Sequence, residues 1–361
     1  MAAASAPPPD LLTLPDHIGQ RPVTFRFELV DRLGVRRGAL TPLRSSTPTL
    51  SHDTTATISR RINGLTLGAG DSALIRPLTD RIDIAMVLGT SPPLIYPLGR
   101  YLVADAVAVP TTGGATTALT LYDPMFIVDQ QLDAGFDAGG QLVDTAVRRL
   151  LDGLPIGELV LDATEQTSTN AWSAGTSRAA ALLDLATVGG YVKPWFNHTG
   201  QLRMPRAFEP AAQAPTIDLD HPRRVLRGSI TRSPQLLSAP NRFVVVSNDP
   251  GSDAAPVVGT YDVPSSAPHS INQRGFVIPT VVEAQLPSQR HATVYARTLG
   301  IQQSVYEVVE LSTPPDPRHD GYDVIRFDGQ LWLETGWEMP LAAGGEMRHT
   351  LRRAYPSDGD L

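Results

Sequence analysis

The chain has no cysteine, and Lys193 is its only lysine. Without cysteine, neither a disulfide framework nor a thiolate metal site can form. The sequence also has no apolar run of about 18 residues, the length that a membrane-spanning helix needs. Its first residues lack the basic and apolar stretches of a secretory signal, so we expect no signal peptide.

Charged residues are scarce too, at 19% of the 361 residues, and the net charge is −7. Binding to nucleic acid without sequence preference requires a basic surface, so this charge balance argues against it. Proline and glycine are abundant instead, with 32 and 30 residues. They favour many short strands joined by turns, and the length of the chain predicts roughly two to four compact domains.

Residues 21–129 alternate between apolar and polar side chains, as half-buried β-strands do. The segment DRIDIAMVL is the clearest case, because Ile82, Ile84 and Met86 fall on one face. About six strands within roughly 100 residues are typical of a barrel or a strongly curved sheet. We therefore predict a first tube-like β domain here, preceded by an N-terminal arm at residues 1–20.

Residues 130–215 change character and predict a small α/β domain. An apolar stripe in QLVDTAVRRLLDGL predicts one helix. The stretch WSAGTSRAAALLDLATVGGYVKPWFNHTGQLRM then predicts a short helix, capped by Thr176 or Ser177 and ended by two glycines, followed by a tight hairpin. The predicted core of this unit consists of Trp172, Leu182, Leu183 and Trp195.

Residues 216–355 return to alternating strands and predict a second tube-like β domain. A helix in SQRHATVYARTLGI belongs to an inserted region at about 249–302, and residues 356–361 form a C-terminal tail. The predicted fold class is mainly β with small α/β insertions, an α+β arrangement. It comprises two tube-like β-barrel domains and one or two small α/β domains.

The densest polar cluster consists of Asp316, His319, Asp320 and Asp323. Carboxylate oxygens and an imidazole suit several divalent cations, but the spacing matches no calcium-binding loop. The prolines in this segment favour a solvated loop between two strands, which is the interpretation we adopt. Whether a metal binds near Asp316–Asp323 is left open by the sequence.

Glu334 and Glu338 could form the acid/base pair of a glycosidase. Trp332 and Trp337 lie beside them, but tryptophans on strands more often fill a core. The pattern therefore gives no clear sign of catalysis, and we expect the protein not to be an enzyme. No catalytic, cofactor-binding or metal-binding residue is predicted, and no cofactor is expected.

Three further motifs have simpler interpretations than a binding site. The glycine-rich stretch 68–72 lacks the Lys-Ser/Thr of a phosphate-binding loop and is interpreted as a turn. Asp218, Asp220 and His221 are interpreted as a solvated domain boundary. The stretch Asn197-His198-Thr199-Gly200 matches a glycosylation sequon, but it is better explained as a hairpin turn.

Three passages, in this order, resemble the tail-tip or baseplate hub proteins of long-tailed bacteriophages, including the late control protein family. The first comprises TTATISRRINGL, PLTDRIDIAMVL and YPLGRYLVADA, and the second is the helix and hairpin stretch at 172–204. The third runs from NRFVVV through SQRHATVYARTLG to SVYEVVELSTP and YDVIRF. The resemblance spans about 20–353, and its specificity comes from the order of short motifs.

This resemblance implies a structural protein of the virion, a minor tail protein assembled in the bacterial host cytoplasm. Three copies with two tube-like domains each would form a ring around the DNA channel. The implied partners are distal tail or tail tube proteins, tip or fibre proteins, a tape measure protein in the lumen, and phage DNA in transit without specific binding. Two alternatives stay open: a tail-associated carbohydrate-binding or cell-wall-hydrolysing protein, and a hexameric distal tail ring protein.

Overall fold

The structure, a computed structural model, describes residues 22–89, 92–111, 114–220, 224–226, 230–234, 237–247, 256–284, 286 and 288–356. The predicted N-terminal arm at 1–20 lies outside the described residues, as do 357–361 of the predicted tail. The described part is mainly β, as predicted. No helix in it is long and apolar enough to cross a membrane.

The strands and helices follow one another along the chain with these bounds. The strands are β1 (Val23–Val30), β2 (Arg36–Leu40), β3 (Thr49–Asp53), β4 (Arg60–Leu67), β5 (Arg81–Leu88), β6 (Leu94–Thr111), β7 (Gly114–Tyr122), β8 (Phe136–Asp137), β9 (Leu159–Leu161), β10 (Ala171–Trp172), β11 (Trp195–Phe196), β12 (Leu202–Met204), β13 (Ile217–Asp218), β14 (Thr231–Pro234), β15 (Arg242–Ser247), β16 (Val257–Asp262), β17 (Pro279–Glu283), β18 (Glu307–Thr313), β19 (Val324–Phe327), β20 (Gln330–Pro340) and β21 (Met347–Arg353). The helices are α1 (Ala69–Ser72), α2 (Met125–Val128), α3 (Val143–Leu150), α4 (Arg178–Gly189), α5 (Ile271–Arg274) and α6 (Gln289–Gln303), and a 3-10 turn covers Pro210–Ala212.

One sheet joins the two β domains that the sequence predicts. Its strand order is β14-β18-β21-β20-β3-β4-β7-β6-β5-β1-β2, with β19 paired to β20 and β13 to β19. The two halves meet where β3 pairs antiparallel with β20, in a register that sets Leu50 opposite Met339. We call this pairing the seam. We call β1–β7, which lie within residues 21–129, the first half of this sheet, and β13, β14 and β18–β21, which lie within residues 216–355, its second half.

The alternation in β5 explains how the first half is buried. Ile82, Ile84, Met86 and Leu88 are each at most 2% exposed, whereas the residues between them are only partly buried. Because successive side chains of a strand point to opposite faces, this pattern puts one apolar face against the core. The predicted common face of the first three residues is confirmed.

The helix of the small domain, α4, begins and ends where the sequence predicts. The Ser177 side chain accepts a hydrogen bond from the Ala180 N–H, and Gly190 takes the left-handed conformation at φ 73°. Leu182 and Trp195 are buried as predicted. Trp172 and Leu183 are only half-buried. Leu182 and Ala186 lie on the buried face of α4, and Leu185, rather than Leu183, shares that face with them.

The region around α6 packs with the small domain. Strands β15, β16 and β17 form a separate three-stranded sheet, and α6 packs on it. Phe243 and Ala296 share one hydrophobic cluster with Leu182 of α4. Strand β15 precedes the predicted inserted region at 249–302, but it pairs with strands of that region and its apolar face is covered by α6.

Gly259 of β16 lies directly against the backbone of α6, and a Cβ atom there would come within 2.0 Å of the Ala292 carbonyl oxygen. We expect Gly259→Ala to lower the free energy of unfolding by about 1–3 kcal/mol, because α6 must move away from the sheet. Gly70→Ala is the matched control, since nothing lies within 4 Å of a Cβ atom there. Urea denaturation measures both variants, and equal stability would contradict the close packing.

Candidate functional site

A row of buried side chains crosses the seam from one half of the sheet to the other. Arg60 of β4 pairs with His52 of β3, His52 pairs with Trp337 of β20, and Trp337 pairs with His349 of β21. Directly paired residues project from the same face of a sheet. All four side chains are buried, and the His52 and Trp337 rings stack with their centroids 5.7 Å apart.

Asp320 brings three parts of the molecule together over this row. It belongs to the loop at 314–323, which we call the covering loop. Its carboxylate lies 2.5 Å from the Arg60 guanidinium and accepts a hydrogen bond from the Trp195 indole N–H at 3.1 Å. Its carbonyl accepts from the Trp337 indole N–H, also at 3.1 Å. Asp320 therefore links both halves of the sheet to the small domain.

Further contacts hold the small domain in the same place. The Trp195 ring packs against Tyr322 with the centroids 5.3 Å apart, and a Cβ atom on Gly321 would come within 2.8 Å of the indole. The only lysine, Lys193, donates from Nζ to the Thr55 carbonyl between β3 and β4, at 2.6 Å. The hairpin predicted from the sequence thus forms the contact between the small domain and the seam.

On the other side of Arg60, a buried carboxylate positions the start of α2. Asp123 accepts from the backbone N–H of Arg60 and of Met125, each at 2.8 Å. Burial raises the pKa of Asp123 to about 6 even though these hydrogen bonds favour the charged form. The Asp123 carboxylate therefore accepts hydrogen bonds from the backbone of both β4 and α2.

Glu334 lies beneath the covering loop, between two histidines. His319 Nδ1 is 2.7 Å from one carboxylate oxygen, and His349 Nδ1 is 2.6 Å from the other. Burial opposes charge on both Glu334 and His319, but their mutual attraction and hydrogen bond outweigh it. The pKa of Glu334 is therefore lowered and that of His319 raised. Burial and the neighbouring His319 charge lower the pKa of His349.

The residues of the polar cluster predicted from the sequence have different partners in the structure. Asp316 pairs with Arg318, and Asp320 pairs with Arg60. Burial and the charge of Glu334 raise the pKa of Asp323 to about 7. The interpretation as a solvated loop is wrong for Asp316 and His319, which are 8% and 2% exposed, because the covering loop folds over the sheet.

The two candidate carboxylates of a glycosidase are separated. A β-bulge between Glu334 and Gly336 shifts the register of β20 against β21. Glu334 is therefore buried, whereas Glu338 is exposed. Trp332 and Trp337 lie in the core, as the sequence indicates.

The three remaining motifs differ in how they fold. The stretch 68–72 forms the short helix α1 rather than the turn we predicted. The Asn197 carboxamide oxygen accepts from the Thr199 backbone N–H at 3.0 Å, which confirms the hairpin turn. Asp218 is exposed, Asp220 accepts from the Gly329 N–H at 3.2 Å, and His221 lies outside the described residues.

A cleft of about 1180 Å³ lies between the first half of the sheet and the small domain. Arg26, Arg100 and His198 are among the residues that line it, whereas Glu334 and Glu338 do not border it. The carboxylates considered for sugar chemistry therefore have no place in this cleft.

Solved structures of tail proteins share this fold. A tail protein from Neisseria meningitidis MC58 superposes with a TM-score of 0.61 at 11% identity, over 92% of this chain and 100% of that one. The 43 kDa tail protein of prophage MuSo2 from Shewanella oneidensis gives 0.61 at 11% identity, over 92% and 98%. The prophage tail protein gp18 from Listeria monocytogenes EGD-e gives 0.58 at 9% identity, over 90% and 94%.

No protein-family model and no curated protein sequence matches the chain. At identities of 9–11%, the likeness to the three solved proteins establishes a common fold. It covers nearly the whole of each chain. The resemblance to phage tail proteins drawn from the order of short motifs is thereby confirmed at the level of the fold.

We expect Asp320→Asn to lower the free energy of unfolding by about 3 kcal/mol, because it leaves the buried Arg60 charge without its counter-charge. Arg60 is 2% exposed, and Asp320 is 23% exposed. Asp262→Asn is the matched control: Asp262 forms a bidentate pair with Arg242, but that pair is exposed, so its loss should cost less than about 1 kcal/mol. Chemical denaturation measures both variants, and equal losses would contradict the role of Asp320.

Burial, with the nearby Arg60 charge, lowers the pKa of His52 to about 3, and neither ring nitrogen has a hydrogen-bond partner. Between about pH 6.5 and pH 3 the unfolded chain therefore binds a proton that the folded chain does not, and stability falls as the pH falls. We expect His52→Phe to reduce this loss by up to about 1.4 kcal/mol per pH unit. Unfolding measured from neutral to acidic pH tests this, and Ser51→Ala on the same strand should keep the wild-type slope.

Proposed function

We propose that the protein is a structural component of a phage tail tip, a hub that forms a ring around the DNA channel. It connects the tail tube or distal tail ring to tip or host-recognition proteins and carries out no chemistry. The observation that carries this proposal is the single sheet, whose two end strands each have one partner among the described residues. The tail-protein fold supports it.

The two end strands are suited to pairing with further copies of the chain. At one end β2 pairs with β1, and at the other β14 pairs with β18. All four residues of β14 are exposed. An open edge presents unpaired N–H and carbonyl groups, and closing a ring of copies removes such edges. We infer that β14 of one copy lies beside β2 of the next.

Exposed apolar residues flank both end strands. Leu33 and Val35 precede β2 and are 78% and 59% exposed, and Ile230 and Leu237 flank β14 at 46% and 81% exposed. These four side chains lie next to the end strands in sequence, where a pairing copy would cover them. They therefore support contacts between copies at the same places as the open edges.

A homotrimer would give the ring its symmetry. Three copies with two half-sheets each can present a six-fold surface to a tail tube and a three-fold surface to a tip. We propose distal tail or tail tube proteins and tip or fibre proteins as its neighbours in the virion, and a tape measure protein in the lumen. The net charge of −7 supports passage of phage DNA without specific binding.

The site supports a role without catalysis. Both oxygens of the Glu334 carboxylate are held by imidazoles, and Glu338 faces solvent on the other side of the bulge. A glycosidase needs two carboxyl groups that face one substrate. The surroundings of Asp320 instead join three parts of the molecule, as a connecting protein requires.

Native mass measurement of the purified protein tests the proposed ring. We expect three copies per particle. Six copies would favour the alternative of a distal tail ring protein. A single copy that degrades cell-wall or polysaccharide substrates, with turnover lost in Glu334→Ala or Glu338→Ala, would overturn the hub in favour of a hydrolase.

The absence of cysteine allows the edge pairing to be tested directly. In a variant that carries both Ala39→Cys on β2 and Ser233→Cys on β14, we expect oxidation to link neighbouring copies into covalent dimers and trimers. Gly70→Cys with Ser233→Cys is the control, since Gly70 is exposed on α1, outside β2. Trimers without cross-links, or equal cross-linking in both variants, would contradict the pairing of β14 with β2.

A further inference from the structure

Three segments of the second half bring one potential metal ligand each to a single buried point. His319 comes from the covering loop, Glu334 from β20 and His349 from β21. A ligand atom from each lies within 4.8 Å of the other two, and all three side chains are buried. In the part of the chain that the structure describes, no other group of three such side chains meets in this way.

The Thr313 hydroxyl determines which nitrogen of His349 carries a proton. This hydroxyl lies 2.9 Å from the Pro314 carbonyl and 2.8 Å from His349 Nε2. A carbonyl oxygen can only accept, so the single hydroxyl hydrogen goes to Pro314, and His349 Nε2–H donates to the hydroxyl oxygen. In a neutral His349 the Nδ1 lone pair then faces the Glu334 carboxylate at 2.6 Å.

Two lone pairs at that distance require a cation between them. The cation is either a proton or a metal ion. The second imidazole lies against the other oxygen of Glu334 through His319 Nδ1, while its Nε2 is buried without a hydrogen-bond partner. His319 Nδ1 is therefore the ring nitrogen that is placed to act as a metal ligand.

We propose that His319, Glu334 and His349 bind one divalent transition-metal ion, for which Zn²⁺ is the natural probe. Two imidazole nitrogens and two carboxylate oxygens make a four-atom N₂O₂ set that suits zinc. The ion replaces the protons that Glu334 shares with the two Nδ1 atoms, and these protons leave to the solvent. Ligand atoms that lie about 2.0–2.2 Å from one tetrahedral metal ion are about 3.3–3.6 Å from each other, so the two nitrogen–oxygen contacts must open by about 0.6–0.9 Å to admit the ion.

The arrangement fits a structural ion. The Thr313 hydroxyl orients His349 from behind, as the second partner of a metal-bound imidazole does. All four donor atoms come from the protein, and the site is closed to solvent, so no position is open for a substrate. An ion here would tie the covering loop, and with it Asp320, to β20 and β21.

Zinc uptake by the wild-type protein tests this without any substitution. The full-length protein is treated with a chelator, mixed with Zn²⁺, passed through a desalting column and analysed for metal. We expect one zinc per chain, a higher melting temperature, and X-ray absorption that shows two nitrogen and two oxygen ligands at about 2.0–2.1 Å. A wild-type protein that retains no zinc and keeps its melting temperature would overturn the proposal.

Variants identify the site. Glu334→Gln should abolish retention of zinc, and Thr313→Val, which preserves shape but removes the support of His349, should weaken zinc binding about 10–100-fold. His269→Gln is the matched control, because His269 is equally buried but lies outside the group. Zinc retained equally by Glu334→Gln and the wild-type protein would show binding elsewhere and overturn the assignment. The zinc measurements do not depend on how many copies of the chain form the particle, so this proposal and the proposed ring can fail independently.

Discussion

The ion pair between Arg60 and Asp320 is the contact on which the arrangement of the molecule depends. A guanidinium that is 2% exposed loses nearly all of its hydration, and the loss is tolerated only where other groups replace the water. Asp320 supplies the counter-charge, and the Trp337 ring lies under the guanidinium at 5.4 Å. Because Trp195 binds the same carboxylate, the pair also positions the small domain.

Near that pair, the seam joins parts of the molecule that the sequence presents as separate domains. Pairing of β3 with β20 joins the halves of the sheet, and one hydrophobic cluster joins α4 to α6. Within the described ranges, the end strands β2 and β14 each have one partner in this sheet. For the hub proposed above, a continuous sheet is well suited to transmitting position from one neighbour to the next.

The candidate site shows where interpretation of the sequence fails. The spacing of Asp316, His319, Asp320 and Asp323 drew attention to the correct loop, but the partners of these residues lie far away in the chain. Arg60 is about 260 residues before Asp320, and His349 reaches Glu334 from the next strand. No local pattern contains such pairs. The separation of Glu334 from Glu338 depends on a bulge, which alternation alone does not indicate.

The sequence by itself determined the mainly β class, the apolar face of β5, and the start and end of α4. These features depend on the period of a strand and on the capping chemistry of a helix, which act over a few residues. The tertiary structure alone decided that the halves form one sheet, that α6 packs with the small domain, and that His319 and His349 meet at Glu334. Each of these features requires the burial of surfaces that belong to distant segments. A sequence shows which side chains are apolar, but it does not show which surfaces come together.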